Sequence, residues 1–143
     1  MFKEFSGANK KLVDEYERSI KMELPKDYKD FLIKTNGGMF EDDVPLFRID
    51  KVCEEIGVEI LFGLRISEDL DLQSWFNEYQ DELESHTAII GDTWGVGLIL
   101  LIWQDNIKGI FLWDHCLALE QSTEEECLYK IADNFDAFFE MLK

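Results

Sequence analysis

The first part of the chain carries apolar residues at the spacing of an α-helix. One stripe recurs every three or four positions and consists of Leu12, Val13, Tyr16 and Ile20. This period predicts an amphipathic helix. We expect it to end before Pro25, because a residue that precedes proline is driven out of the α region. Pro25 suits the start of a second helix, since its missing N–H is no loss there.

The second helix is short, and its end has a clear signal. Its buried side is predicted to consist of Tyr28, Phe31 and Leu32. The sequence TNGG at residues 35–38 follows directly. Asn36 or Gly37 can take the left-handed conformation that commonly closes a helix. We therefore expect the second helix to end there.

Extended segments follow, interrupted by a third helical pattern. Strands are predicted at residues 44–49, 58–64, 87–91, 96–103 and 108–115. The turn between the last two lies at residues 104–108. Residues 66–85 return to the helical period, and their apolar face consists of Leu72, Trp75, Phe76, Tyr79 and Leu83. The pattern thus inserts one helix among the strands.

The end of the chain predicts a long closing helix. Ser122 is placed as its N-cap, and Glu125 follows three residues later in the capping-box pattern. The buried face of this helix would consist of Leu128, Ile131, Ala132, Phe135, Phe138, Phe139 and Leu142.

This order of elements predicts an α+β fold in a single domain that spans residues 1–143. Strands joined by short turns pair antiparallel, so a central antiparallel sheet is flanked by N-terminal and C-terminal helices plus one inserted helix. The run LILLIW at residues 98–103 is apolar on both alternating faces. It is expected to be a central strand covered on both faces, or covered on one and used for contact on the other.

The stretch GDTWGVG at residues 91–97 raises the question of nucleotide binding. A phosphate-binding loop needs a Lys and a Ser or Thr at its end, with a helix N-terminus facing the phosphates. Here the glycines are followed by a hydrophobic strand, and Asp92 would repel phosphate. A dinucleotide fingerprint fails on spacing and on the missing helix. The glycines therefore indicate a turn or bulge between two strands.

The sequence WDHC at residues 113–116 offers candidate catalytic residues, but their spacing is poor. Adjacent residues of a strand face opposite sides of the sheet, so Asp114 and His115 do not readily form an acid–base pair. Cys116 would need a base from elsewhere and is expected to be a small buried residue. The histidines and cysteines also lack metal-ligand spacing. We therefore predict no catalytic residues, no metal site and no cofactor, although an enzyme using Asp92, Asp114 and His115 stays an alternative.

Composition and charge narrow the possible partners. The chain has 143 residues, of which 46% are hydrophobic, and its formal net charge is −17. Such a surface repels nucleic acid and anionic membranes, because both are bound through Lys and Arg. Three cysteines, an odd number, indicate a reducing compartment. No segment resembles a secretory signal or a membrane span, so a cytoplasmic protein is expected.

The acidic residues are unevenly distributed along the chain. Residues 1–34 hold eight basic and seven acidic side chains, whereas residues 35–143 hold six basic and 24 acidic ones. Between Ser67 and Ser85 there are seven acids and no base. A field of one sign repels itself, whereas a solvated surface usually mixes both signs. The asymmetry therefore favours a basic binding partner.

Several motifs in order resemble the SUKH superfamily. The segment YERSIKMELPKDYKDFLIKTNGG at residues 16–38 matches its N-terminal signature. The matching residues are Glu17, Leu24, Pro25, Tyr28, Phe31, Leu32, Asn36, Gly37 and Gly38. The later stretches IIGDTWGVGLILL, GIFLWDH and IADNFDAFFEML also resemble the central Gly-Asp turn, the Trp-Asp-His strand and the closing helix of that superfamily.

This resemblance implies an α+β fold without catalytic machinery. Fungal members of the superfamily are cell-wall assembly regulators that act as protein-interaction hubs, and many bacterial members are immunity proteins that neutralise a cognate polymorphic toxin, often a nuclease. The chain resembles the bacterial type. The resulting hypothesis is a cytoplasmic immunity protein whose acidic surface binds a basic toxin. The alternative is an interaction or scaffold module without a toxin target.

The residues predicted to meet that partner are mostly acidic. They are Glu41, Asp42, Asp43, Glu68, Asp69, Asp71, Glu78, Asp81, Glu82 and Trp94. Trp94 lies on a turn, where an exposed aromatic side chain could anchor an interface. Trp94 could equally be a core residue that the neighbouring glycines accommodate, whereas Trp75 falls on an apolar stripe and is expected in the core.

Overall fold

The computed structural model describes residues 2–49 and 52–142, and for residues 52–54 it describes only the backbone. The strands are β1 (Phe2–Glu4), β2 (Gly38–Phe40), β3 (Leu46–Ile49), β4 (Val52–Leu61), β5 (Thr87–Thr93), β6 (Leu98–Trp103), β7 (Lys108–Trp113) and β8 (Leu128–Ala132). The helices are α1 (Lys10–Ile20), α2 (Lys26–Lys34), α3 (Leu72–Tyr79) and α4 (Phe135–Met141). Short 3-10 turns at Glu68–Leu70 and Gln80–Glu82 flank α3.

The strands form one antiparallel sheet in the order β1-β2-β4-β5-β6-β7-β8, and β3 pairs separately with β4. Every residue of β6 from Leu98 to Ile102 is buried, as expected for a central strand covered on both faces. Tyr79 of α3 contacts Trp113 of β7, so α3 covers the face to which Trp113 points. Helices α2 and α4 pack on each other, and α4 packs on β7 and β8. The α+β fold with flanking and inserted helices is therefore confirmed.

A half-buried carboxylate joins the first two helices. Helix α1 ends at Ile20, and Lys21 takes a left-handed conformation with φ 58°. The Glu17 carboxylate accepts a hydrogen bond of 2.7 Å from the backbone N–H of Leu24. Its Oε2 also lies 3.8 Å from Nζ of Lys29. Glu17 therefore fixes the chain where it turns from α1 into α2.

The TNGG segment ends α2 and attaches it to the sheet. Asn36 and Gly37 both have positive φ, at 54° and 82°. The Asn36 amide donates to the carbonyl of Leu64 at 2.9 Å and accepts from its N–H at 2.7 Å. A Cβ on Gly37 would lie 2.4 Å from the carbonyl oxygen of Leu61. This close approach is why glycine, with no Cβ, fits there.

The glycine-rich stretch at residues 91–97 connects β5 to β6, as predicted. Gly95 and Gly97 have φ of 86° and 116°, a region that favours glycine. The Thr93 hydroxyl donates to the carbonyl of Gly97 at 2.7 Å and accepts from the N–H of Val96 at 3.2 Å. The side chain of Thr93 thus closes the turn.

The closing helix, the inserted helix and the strands β1 and β2 differ from the sequence expectations. The long closing helix from Ser122 is wrong, because residues 128–132 form β8 and α4 begins only after Asn134. The inserted helix is shorter than residues 66–85 and is replaced at both ends by 3-10 turns. Strands β1 and β2 were not predicted from their short segments.

None of the helices in the described part of the chain has the length and apolar character needed to cross a bilayer.

Candidate protein-binding surface

The acids between residues 67 and 85 divide into an exposed group and one half-buried residue. The exposed acids are Glu68, Asp69, Glu78, Asp81, Glu82 and Glu84. They lie on α3, on the two 3-10 turns and in the loop that follows. None of them forms an ion pair with a described residue, whereas five basic residues elsewhere do: Lys3, Lys26, Lys29, Arg65 and Lys130. We call these six acids the α3 acidic surface.

Part of the α3 acidic surface surrounds a hollow with an aromatic floor. Glu68, Asp69 and Glu78 line this hollow of about 470 Å³ together with Trp75. The Trp75 indole N–H donates to the Asp69 carbonyl at 2.8 Å. Its ring stacks on Phe62 with centroids 4.8 Å apart. The stacking and the hydrogen bond hold the floor in place, so these three carboxylates project from a fixed support.

Asp71 is placed apart from that hollow. Its carboxylate caps α3 by accepting a hydrogen bond of 2.9 Å from the N–H of Gln73. It lines a different depression, shared with Glu15, Tyr16 and Arg65. Burial raises the pKa of the Tyr16 phenol, and the Asp71 carboxylate raises that pKa further. The structure thus gives Asp71 a role in starting helix α3.

The C-terminal end of the α3 acidic surface borders a small cleft over the sheet. Asp81 and Glu82 lie on the 3-10 turn after α3. Glu82 lines a cleft of about 170 Å³ against Leu100, Trp113 and Leu128. Here a carboxylate therefore stands next to an apolar surface.

Trp94 lies on the surface, so the core interpretation of this residue is wrong. Its side chain is 70% exposed, and its backbone N–H donates to the carbonyl of Gly57 at 2.9 Å. The neighbouring strand β3 pairs Leu46 with the same Gly57. Trp94 therefore lies across Gly57 of β4 from β3, the strand that follows the acidic loop of residues 41–43.

That loop carries the three remaining predicted acids. Glu41, Asp42 and Asp43 connect β2 to the segment before β3, and all three are exposed. Glu41 lies 3.4 Å from Nζ of Lys3 in an exposed ion pair. The sequence interpretation missed Leu46, which is 53% exposed. The alternation of β3 could have revealed it, because Phe47 and Ile49 face the core and so direct Leu46 outward.

The candidate catalytic residues have structural explanations. Asp114 is fully buried, and its two carboxylate oxygens accept hydrogen bonds of 2.8 Å from the N–H groups of Ala118 and Leu119. It therefore closes the loop after β7. Cys116 is exposed, so the expectation of a small buried residue is wrong. In the described part of the chain no group of three or more His, Cys, Asp and Glu could hold a metal ion.

His115 and Asp92 lie in a cluster of aromatic and acidic side chains. The His115 ring packs against Tyr79 and Trp113, at centroid distances of 5.5 Å and 5.1 Å. Burial raises the pKa of Asp92, and the nearby carboxylate of Glu59 raises it further. Burial also raises the pKa of the Tyr79 phenol. Acidic side chains are therefore present on β5, at Asp92, as well as around α3.

A family model matches the chain. The model of the SMI1/KNR4 family (SUKH-1) matches residues 7–141, almost the whole chain. No curated protein has a significant match to the sequence. Proteins of the matched family are generally non-enzymatic. Glu17, Asn36 and Asp114, which lie in the motifs of the resemblance, each bind backbone groups.

Proposed function

The chain belongs to the SMI1/KNR4 family (SUKH-1), and from this premise we propose that it is a cytoplasmic, non-enzymatic immunity protein. It binds and neutralises a cognate polymorphic toxin, a nuclease with a basic surface. The observation that carries the proposal is the α3 acidic surface, whose six exposed carboxylates form no ion pair with a described residue.

A nuclease binds the phosphates of its substrate with Lys and Arg side chains. Carboxylates on a protein surface are attracted to the same groups and can occupy them in place of phosphate. The net charge of −17 extends this attraction beyond contact distance and speeds the encounter with a basic partner. Unpaired like charges destabilise the isolated protein, and a basic partner removes that repulsion when it binds.

The aromatic packing beneath the α3 acidic surface also favours binding. Trp75 stacks on Phe62 and on Tyr79, with centroids 4.8 Å and 6.1 Å apart. A packed support limits the freedom of the backbone that carries Glu68, Asp69 and Glu78. Less conformational entropy is therefore lost when these carboxylates meet a partner.

The test first asks whether a neighbouring gene encodes a toxin domain and then uses that domain. Binding of the toxin domain to the protein is measured by calorimetric titration at low and high salt. The nuclease activity of the toxin domain is measured with and without the protein. We expect stoichiometric inhibition and an affinity that falls as salt rises. The triple variant Glu78→Lys, Asp81→Lys and Glu82→Lys should weaken binding by about tenfold or more, because charges at an interface then repel.

The matched control changes the net charge equally at another place. Asp105, Glu120 and Glu124 are exposed acids outside the α3 acidic surface, and their triple replacement by Lys should weaken binding much less. Equal losses in the two variants would assign the effect to net charge and contradict a docking role for the α3 acidic surface. A neighbouring gene without a toxin domain, or a toxin domain that does not bind, would overturn the proposal in favour of a scaffold module.

A further inference from the structure

The two most exposed large apolar side chains of the described residues lie together. They are Trp94 and Leu46, with 70% and 53% exposure. Both stand beside Gly57, where a Cβ would lie 3.7 Å from Cβ of Trp94 and 3.5 Å from Cδ2 of Leu46. The same position is 2.8 Å from Cγ1 of Val44. The three side chains therefore surround a patch of bare backbone.

An apolar groove adjoins this patch, and Leu46 belongs to both. Its volume is about 640 Å³, and its apolar walls include Phe2, Phe40, Pro45, Leu46, Phe139 and Met141. The ring of Phe2 lies 4.8 Å from that of Phe40 and 5.5 Å from that of Phe139. Met141 is 40% exposed. Strands β1 to β3 and helix α4 thus leave a continuous apolar surface open. We call the groove and the adjoining Trp94–Leu46 patch the β3 groove.

The rim of the β3 groove is acidic. Glu4 and Asp43 line the groove itself, and Glu41 and Asp42 are exposed in the same loop as Asp43. Lys3, at the same edge, is held by Glu41 at 3.4 Å. A site with an apolar floor and an acidic rim complements a segment that combines an apolar side chain with Lys or Arg.

We infer that the β3 groove receives a segment of the basic partner that carries a large apolar side chain flanked by Lys or Arg; this inference rests on the proposed function. The apolar side chain enters the groove beside Leu46, and the flanking cations meet the carboxylates of Glu4 and Asp43. Trp94 covers the segment from the side. Buried aromatic anchors inside a polar rim are the arrangement that dominates binding energy at protein interfaces.

The probe is a random peptide library displayed on phage and selected on the intact protein. We expect the selected peptides to combine aromatic or aliphatic residues with Lys or Arg. Synthetic copies should bind by surface plasmon resonance, and Leu46→Asp or Trp94→Ala should each weaken that binding by about tenfold or more. Both side chains are largely exposed, so the variants should keep the circular dichroism of the parent.

The control variant is Leu117→Asp, which alters an apolar side chain of 41% exposure outside the groove. It should leave peptide binding unchanged. Peptides without apolar residues, no selected peptides, or equal binding to the Leu46→Asp variant would each overturn the β3 groove as a docking site. A toxin domain that depends on the α3 acids but is indifferent to Leu46→Asp would refute only the groove. Peptide binding without toxin binding would refute only the toxin target.

Discussion

Single polar side chains hold together the places where this chain changes direction. Glu17 accepts the N–H of Leu24 between α1 and α2, and Asp114 accepts two N–H groups after β7. The sequence marked both positions through the family resemblance, but it could not show what they bind. The exposure of Trp94 was also left open, because burial depends on tertiary neighbours that a turn sequence does not specify.

Among the polar residues that bind backbone groups, Asn36 is the one whose replacement should lower stability most. Asn36→Ala removes two buried hydrogen bonds to Leu64 and places alanine at a φ of 54°. We expect the free energy of unfolding to fall by about 2–4 kcal/mol, measured by urea denaturation. Asn106→Ala, at an exposed turn, should change it by less than about 0.5 kcal/mol. Equal effects would contradict the role of the Asn36 amide.

At the scale of elements, long periodic segments were predictable and short ones were not. Helices α1 and α2 and the strands β5, β6 and β7 lie close to their predicted positions. The strands β1 and β2 have three residues each, too few to show a period. The closing helix was overextended because Leu128, Ile131 and Ala132 continue the helical spacing of α4 by chance. Pairing of β8 with β7 overrides that local signal.

The true start of α4 can be located by its cap. The Asn134 side chain accepts a hydrogen bond of 2.8 Å from the N–H of Ala137, so Asn134→Ala should lower the free energy of unfolding by about 1 kcal/mol. Glu125→Ala should have no such effect, because Glu125 lies in a loop rather than in a capping box. A larger loss for Glu125→Ala, measured by thermal denaturation, would favour a helix that begins at Ser122.

At the scale of the whole molecule, charge sets a balance between stability and association. The sequence alone indicated a concentration of acids, and the structure places six of them exposed on and around α3. The other residues predicted to meet the partner lie elsewhere. The acids of residues 41–43 lie at the rim of the β3 groove, Asp71 caps α3, and Trp94 is exposed beside Gly57. The β3 groove itself could not be predicted, because it is lined by residues far apart along the chain.

Removal of acids from the α3 acidic surface should stabilise the isolated protein. The variant Glu78→Gln with Glu82→Gln loses two unpaired charges, so we expect its melting temperature at low salt to rise by about 2–4 °C. The gain should disappear at about 1 M NaCl, where charges are screened within a few ångströms. A control with Asp133→Asn, which breaks an ion pair of 2.8 Å with Lys130, should show no rise. A salt-independent gain in the double variant would contradict repulsion as its cause.

The exposure of Trp94 has an optical consequence. The chain has four tryptophans, and the other three, Trp75, Trp103 and Trp113, are half-buried. We therefore expect Trp94 to give the long-wavelength component of the intrinsic fluorescence. Because the chain is strongly acidic, we also expect caesium to quench this emission better than iodide does. Any molecule that covers the indole shifts this emission to the blue and shields it from both ions. The protein thus carries its own unlabelled reporter at the edge of the β3 groove.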